Sequence, residues 1–578
     1  MEYLRKINKE IIFVLLIVVL AAVLRFLWLD KIPVGIGGDE LTYVFNAKAI
    51  FLTGSDISGT WNPLSAFIFH YPAYTTPQAE LPYFLLTPIV GFLQFSLFNA
   101  RVTFAFLSVV TVLFVYLIAK EFFGSRVGVI AGLIAAINPW FIYIGRTDYE
   151  QVPATLFFLM GIYILLKAKG WKILWSVPIL YLAFYSYIAT KLIFLPLVAI
   201  AILYCYFTNK KQFLKQYAIV FGFSILIVAV YVFALKQISG SRLSEIFTPN
   251  APILSAQVDA VRKITMQTPL ANIFENKMTE YLKIIFTKTF DTTSFNYLFL
   301  TGDNFFALIR QGLFYVLDAV FLIFGLAAAY KRKTKLFFLL VSLSLIALLP
   351  HVLHTASLEN FAPHITLLFP FAIILIAVGI DETLGFFKNK WAFYGVSALI
   401  ILLYLLLFLN FVNIYFFQFS LQGGFDFPTR LLSKYVALAS EDKQRITIYT
   451  PAVPDVFKKY IFYTNSYNQN TLAKVKAIYK DKEFVFGNVQ FLGCNNTIDP
   501  TKLKGTIIYD FNCGALPKNY QRVVIPRLSD GGQSYDIFND KLCQNFSLKG
   551  YPTDLQISDF SIETQTAQKF CETFITNP

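Results

Sequence analysis

The feature that most constrains this chain is a series of long apolar stretches separated by short lysine clusters. Eleven of them have helix-spanning length: 11–29, 102–120, 127–143, 151–168, 173–189, 191–207, 216–236, 306–328, 336–353, 364–380 and 391–417. About 20 apolar residues in a helix cross a hydrocarbon core of about 30 Å, and a helix satisfies its own backbone there. Composition agrees: 56% of the 578 residues are hydrophobic, 17% aromatic and only 15% charged. Neither a soluble nor a disordered chain carries that much apolar surface. The formal charge of +14 does not point to nucleic acid. The Lys and Arg lie between apolar runs, where membrane topology and anionic lipid place them.

Orientation follows from the loops. Arg5, Lys6 and Lys9 precede the first run, so the N-terminus is expected in the cytoplasm and the loop after Leu29 outside. The later clusters then all fall on the cytoplasmic side: Lys120 with Arg126, Lys167 to Lys172, Lys210 to Lys215, Lys331 to Lys335, and Lys388 with Lys390. Counting Leu81 to Phe98 as a span would reverse that pattern. Pro82 and Pro88 interrupt it, so it reads as a helix on or dipping into the external interface. The first run is long for a signal peptide and no small-residue cleavage site follows, so it reads as a retained span. The expectation is a polytopic α-helical plasma-membrane protein. Residues 1–420 form the bundle, with long external loops at 30–100 and 237–305.

From about Leu421 polar residues rise and short alternating runs appear: Arg445 to Tyr449, Glu483 to Gln490, Thr506 to Phe511 and Arg522 to Ile525. With helical patterns such as Thr429 to Ala439 between them, residues 421–578 read as a small α/β domain. An odd span count puts it outside. Cys494, Cys513, Cys543 and Cys571 all fall in it, while Cys205 is alone in a span. An even set confined to one domain points to two disulfides and an oxidising compartment. Local pairing would join Cys494 to Cys513 and Cys543 to Cys571; four free buried thiols are the alternative. The sequons at Asn495 and Asn545 are compatible with an external face. Gly423-Gly424 and Gly531-Gly532 read as turns, not phosphate loops.

Chemistry-bearing residues gather in the expected external segments. The loop Pro33-Val34-Gly35-Ile36-Gly37-Gly38 ends in Asp39-Glu40 at the mouth of the bundle. No ATP or nucleotide sugar is available on that face, so acids there suggest work on a lipid-linked substrate. Neighbours in an extended segment point apart, so the two acids are expected to do different jobs. Asp148 and Glu150 would share a face in an extended turn. Arg101, Arg146 and Lys191 lie near external span ends, either gripping an anion or anchoring the interface. His351, His354 and His364 surround one external loop, as metal or phosphate contacts or as interfacial packing. Loops this long usually carry function. On residue type alone, Asp39 and Glu40 read first as solvated loop charges, and Asp148 and Glu150 as an ordinary charged turn.

The ordered set of motifs resembles the C-type (GT-C) glycosyltransferases, in particular the family 39-like protein O-mannosyltransferases and the lipid A aminoarabinose transferases. The resemblance is carried by Gly37-Gly38-Asp39-Glu40-Leu41-Thr42-Tyr43, Glu80-Leu81-Pro82-Tyr83 and Asn99-Ala100-Arg101. Asn138-Pro139-Trp140, Gly145-Arg146-Thr147-Asp148-Tyr149-Glu150 and Tyr185-Ser186-Tyr187 to Lys191 continue it, with Lys191 where the family has Arg. It covers roughly residues 10–240. Pro363-His364 is a looser match, and the C-terminal domain matches only in position.

The resemblance implies an enzyme that transfers a sugar, with inversion, from a polyprenyl-phosphate donor to a protein, lipid or glycan hydroxyl. Asp39 would take the acceptor proton, since a neutral hydroxyl is a poor nucleophile, and Glu40 would assist. Arg101, Arg146 and Lys191, with Tyr43, Glu80 and His364, would bind donor and phosphate. A similar element in oligosaccharyltransferases implies that Asp148 and Glu150 hold Mg or Mn; no other cofactor is implied. The alternatives are a polyprenyl-lipid flippase or polysaccharide exporter, and a membrane anchor displaying the C-terminal domain. No internal symmetry of the transporter kind is visible, and an anchor leaves Asp39 without a task.

Overall fold

A computed structural model of the chain describes residues 2–57, 79–208, 211–266, 268, 270–303, 311–354, 360–419, 426–442, 444–495, 499, 502–514 and 520–577, apart from 236–250. Trp61, Tyr71, Pro72, Tyr74, Pro77 and Gly423-Gly424 lie outside the described residues.

Each of the eleven apolar stretches carries helix, with shifted bounds. Among the described residues, six helices are long and apolar enough to cross a membrane: Leu97–Phe123, Ile188–Phe207, Leu214–Phe233, Thr334–Val352, Leu368–Gly385 and Lys390–Gln418. The stretch 127–143 divides into Ser125–Ile137 and Pro139–Ile144, because Asn138 caps the second helix and Pro139 cannot continue the first. The stretch 173–189 shortens to Ser176–Ser186 after a 3-10 turn. Val316–Arg332 and Leu368–Gly385 cross at glycines: a Cβ on Gly325 would lie 1.9 Å from the Leu375 carbonyl oxygen. Small residues at such crossings let helix backbones touch.

The described residues of segment 30–100 are largely helical. After α1 (Glu2–Phe26) it forms α2 (Gly38–Thr53) and α3 (Leu81–Phe92), followed by α4 (Leu97–Phe123). Leu41, Val44, Phe45 and Phe51 have helical spacing; the Gly-Gly-Asp-Glu start reads as a turn and hides it. Asp39 and Glu40 therefore sit in the first turn of a helix and not in an extended strand. The segment 237–305 likewise contains the helices Ala251–Ile264, Ala271–Phe274 and Lys277–Thr292.

The C-terminal segment is an α/β domain. Its sheet has the order β2-β3-β1-β4-β6-β5. The strands are β1 (Ile446–Tyr449), β2 (Val485–Phe486), β3 (Val489–Leu492), β4 (Thr506–Asp510), β5 (Arg522–Pro526) and β6 (Gln533–Phe538). β3, β1 and β4 run parallel, and β6 was not anticipated from the sequence. Both expected disulfides form, Cys494–Cys513 and Cys543–Cys571, and the buried Cys205, outside both, donates its Sγ hydrogen to the Leu165 carbonyl.

One hydrophobic core fills the helical bundle. A second is shared: Ile36, Leu41, Phe45, Tyr83 and Phe95 pack in one cluster with Phe462, Tyr467 and the sheet residues Ile448 and Ile508. The Phe45 ring stacks on Tyr467 with centroids 4.8 Å apart. The acidic helix α2 is thus sandwiched between the bundle and the C-terminal domain.

Candidate active site

The loop leading into α2 is held almost residue by residue. From α4, Arg101 places Nε 2.7 Å from Glu40 Oε1, and its Nη2 donates to Oε2 at 3.2 Å. The same guanidinium donates to the Pro33 carbonyl at 2.7 Å and to the Gly35 carbonyl. Glu40 Oε2 also accepts the Gly37 N–H at 3.0 Å. Both side chains are fully buried. A buried ion pair persists when its remaining donors and acceptors are satisfied, and these are.

The C-terminal domain grips the loop from the other side. Arg430 donates to the Val34 carbonyl while pairing with Glu563. The Tyr463 hydroxyl accepts the Ile36 N–H at 3.0 Å, and Asn465 Oδ1 accepts the Phe95 N–H at 2.9 Å. Asp39 alone of the two acids is exposed. It stands in the first turn of α2, where the helix dipole favours a carboxylate.

Arg146 is engaged elsewhere. It donates to the carbonyls of Leu24 (2.9 Å) and Ile32 (2.8 Å), and its guanidinium lies 4.9 Å from the Phe416 ring centroid. Two residues on, the Asp148 carboxyl is fully buried, and neither oxygen meets a hydrogen-bond partner among the described residues. Burial, reinforced by the charge of Glu40 and opposed by Arg101, pushes its pKa well above the usual carboxylate range. Glu150 is half-buried with helical backbone (φ −58°, ψ −15°), so the extended turn expected to align it with Asp148 does not form. Among the described residues no three His, Cys, Asp or Glu side chains gather as a ligand set. The orphaned Asp148 oxygens still suit a hard divalent cation completed by water or substrate oxygens.

Lys191 sits in a second buried pair, with Nζ 2.9 and 2.7 Å from the two carboxylate oxygens of Glu80. It lies 4.0 Å from the Tyr231 ring centroid and 5.3 Å from that of Tyr185. Burial raises the Glu80 pKa although Lys191 pulls it down. The Tyr43 hydroxyl accepts the Ala79 N–H at 3.0 Å beside this pair, and its ring lies 4.9 Å from Tyr83. Tyr185 also lines an apolar cavity of about 540 Å³ with Val177, Tyr181, Phe223, Ile227 and Val230.

The three histidines lie near one another, though not as a metal-ligand set among the described residues. The His364 ring centroid is 5.2 Å from His354, 6.2 Å from His351 and 6.2 Å from Tyr187. Lys288, which the sequence reading passed over, donates to the carbonyls of His351 (3.3 Å) and His354, and burial pushes its pKa down to about 8. Lys458, in helix Val453–Tyr463 of the C-terminal domain, was also passed over. Its Nζ lies 3.4 Å from Thr42 Oγ1 on α2. Only a contact across 416 residues reveals it; a Lys-Lys step on an amphipathic helix gives no local signal.

Residues 79–234 match the model of the dolichyl-phosphate-mannose-protein mannosyltransferase family. That segment holds Glu80, Arg101, Arg146, Asp148, Glu150 and Lys191; Asp39 and Glu40 precede it. The resemblance read from the sequence thus holds over this segment. No curated protein sequence matches the chain. Among solved structures, the chain is similar to ArnT from Cupriavidus metallidurans bound to undecaprenyl phosphate: 13% identity, TM-score 0.48, covering 91% of this chain and 97% of that one. It is also similar to the oligosaccharyltransferase AglB from Archaeoglobus fulgidus, in complex with an inhibitory peptide and a dolichol-phosphate: 11% identity, TM-score 0.48, covering 93% and 75%. At these identities the chemistry rests on this chain's own geometry.

Proposed function

We propose that this protein is an inverting glycosyltransferase that moves a sugar from a polyprenyl-phosphate donor to a protein, lipid or glycan hydroxyl at the external face of the plasma membrane. The observation that carries this reading is the division of labour at Asp39-Glu40. Glu40 is spent on Arg101, and the clamped loop presents Asp39 to solvent.

Asp39 takes the acceptor proton as the hydroxyl oxygen attacks the anomeric carbon. The bond to the polyprenyl phosphate breaks on the opposite face, and the phosphate leaves with the electron pair. An isoprenoid tail suits the apolar cavity beside Tyr185. Lys191 then meets the phosphate from the cavity's edge, sharing its charge with Glu80, while His364 approaches past Tyr187. Arg101 and Arg146 are tied to backbone carbonyls, so they contribute field and loop position more than direct grip. Asp148, with Glu150, would hold Mg or Mn, which would supply positive charge for the leaving phosphate.

The match to a mannosyltransferase family over residues 79–234 supports the reaction class. The loop charges and the two disulfides support a cytoplasmic N-terminus and an external C-terminal domain. The deciding measurement is transfer of radiolabelled sugar from a polyprenyl-phosphate donor in membranes holding wild-type or Asp39→Asn protein. A folded Asp39→Asn protein with near wild-type transfer removes Asp39 as base.

A further inference from the structure

The C-terminal domain does more than cover the bundle. Its helix Val453–Tyr463 lies against α2, where the Lys458 ammonium lies 3.4 Å from Thr42 Oγ1, three residues from Asp39. Three and four residues apart are neighbours on one helix face. Lys459 points to a different task, bridging Asp426 and Asp455 within the domain. Two adjacent lysines thus divide as Asp39 and Glu40 do, one building the domain and one turned to the α2 face.

We infer that Lys458 is a positioning residue for Asp39, supplied by the C-terminal domain to orient that carboxylate toward the acceptor. The inference rests on the reading of Asp39 as base. Three contacts fix the geometry from the domain's side: Arg430 on Val34, Tyr463 on Ile36 and Asn465 on Phe95. The ammonium is therefore delivered to a registered place. Its environment agrees, since burial pulls the Lys458 pKa down while Asp455 and Asp39 pull it up against Lys459. Tyr83 in the first turn of α3 and Tyr149 in the turn before Gln151 also feel the charge of Asp39. Glu40 is adjacent on α2. Both tyrosines are held protonated by burial and supply no counter-charge, whereas the Lys458 ammonium feels the Asp39 charge and attracts the carboxylate toward it.

Full-length enzyme tests this through separate kcat and donor KM values and a double-mutant cycle. Lys458→Met should lower kcat about tenfold and leave the donor KM unchanged, as expected when the base is misplaced and donor binding is not. Lys458→Arg should restore most of the kcat. In an Asp39→Asn background, adding Lys458→Met should cost nothing more, because the lysine acts through the acid. A full additional tenfold loss in that background overturns the inference, as does a Lys458→Met enzyme with wild-type kcat. An active Asp39→Asn enzyme would instead strike the base reading, and the single-mutant rate separates the two failures.

Discussion

The Glu40 carboxylate meets the Arg101 guanidinium at 2.7 Å with neither side chain exposed, while its neighbour Asp39 faces solvent. Glu40→Gln removes the counter-charge but leaves the guanidinium buried. Breaking one partner of such a pair typically costs about 3–5 kcal/mol. Thermal unfolding of purified protein in detergent should show a large drop in Tm, with activity lost in step with folded protein. An unchanged Tm would mean the pair does not hold the loop.

Asp39→Asn should behave in the opposite way. The side chain keeps its size, is exposed, and lies outside the apolar core, so Tm should barely move. Loss of a general base costs roughly 10²–10⁴-fold in rate. Donor binding should persist, because the proposed phosphate contacts lie around Lys191 and His364. A proportional loss of rate and Tm would assign Asp39 a structural role.

The bundle was legible because hydrophobic runs and lysine clusters are local signals, and so was the α/β domain, whose cysteines pair with near neighbours. Helix α2 was not. Gly37-Gly38-Asp39-Glu40 has the composition of a turn, and the apolar spacing from Leu41 onward was outweighed by the polar residues of segment 30–100. The site was half legible. Residue type marked Arg101 and Lys191 as cations, but only the fold reveals that Glu40 and Glu80 already hold them. Lys458 and Arg430 reach α2 and its loop from more than 390 residues away, a distance across which no periodicity speaks.

Asp148 makes a pH prediction. A carboxyl whose folded pKa is raised keeps its proton longer in the native state. The native state then binds more protons than the unfolded chain between the unfolded value of about 4 and the folded one. Stability should therefore fall as pH rises through that window, and Asp148→Asn should flatten the fall. Mg or Mn should raise the wild-type Tm at neutral pH and leave Asp148→Asn unmoved. No response of wild type to either ion would leave phosphate stabilisation to the cationic side chains.

The orientation is checked at Lys476, exposed on helix Leu472–Asp481 of the C-terminal domain. A Lys476→Cys protein should react with an impermeant maleimide in intact cells. Labelling only after lysis would put the domain, and with it Asp39, on the cytoplasmic side and end the proposal of chemistry at the external face.

The Glu80–Lys191 pair allows structure and chemistry to be separated. Lys191→Met leaves a buried carboxylate, and Glu80→Gln leaves a buried ammonium, so each single change should destabilise. The double variant Glu80→Gln/Lys191→Met buries no charge, and pairs replaced together are often tolerated. Its Tm should return close to wild type. If Lys191 meets the donor phosphate, the double variant should still be impaired, with a raised KM for the polyprenyl-phosphate donor. A double variant restored in both Tm and donor KM would make the pair purely architectural. Lys288, which donates to the His351 and His354 carbonyls, would then be a further cationic candidate for the phosphate.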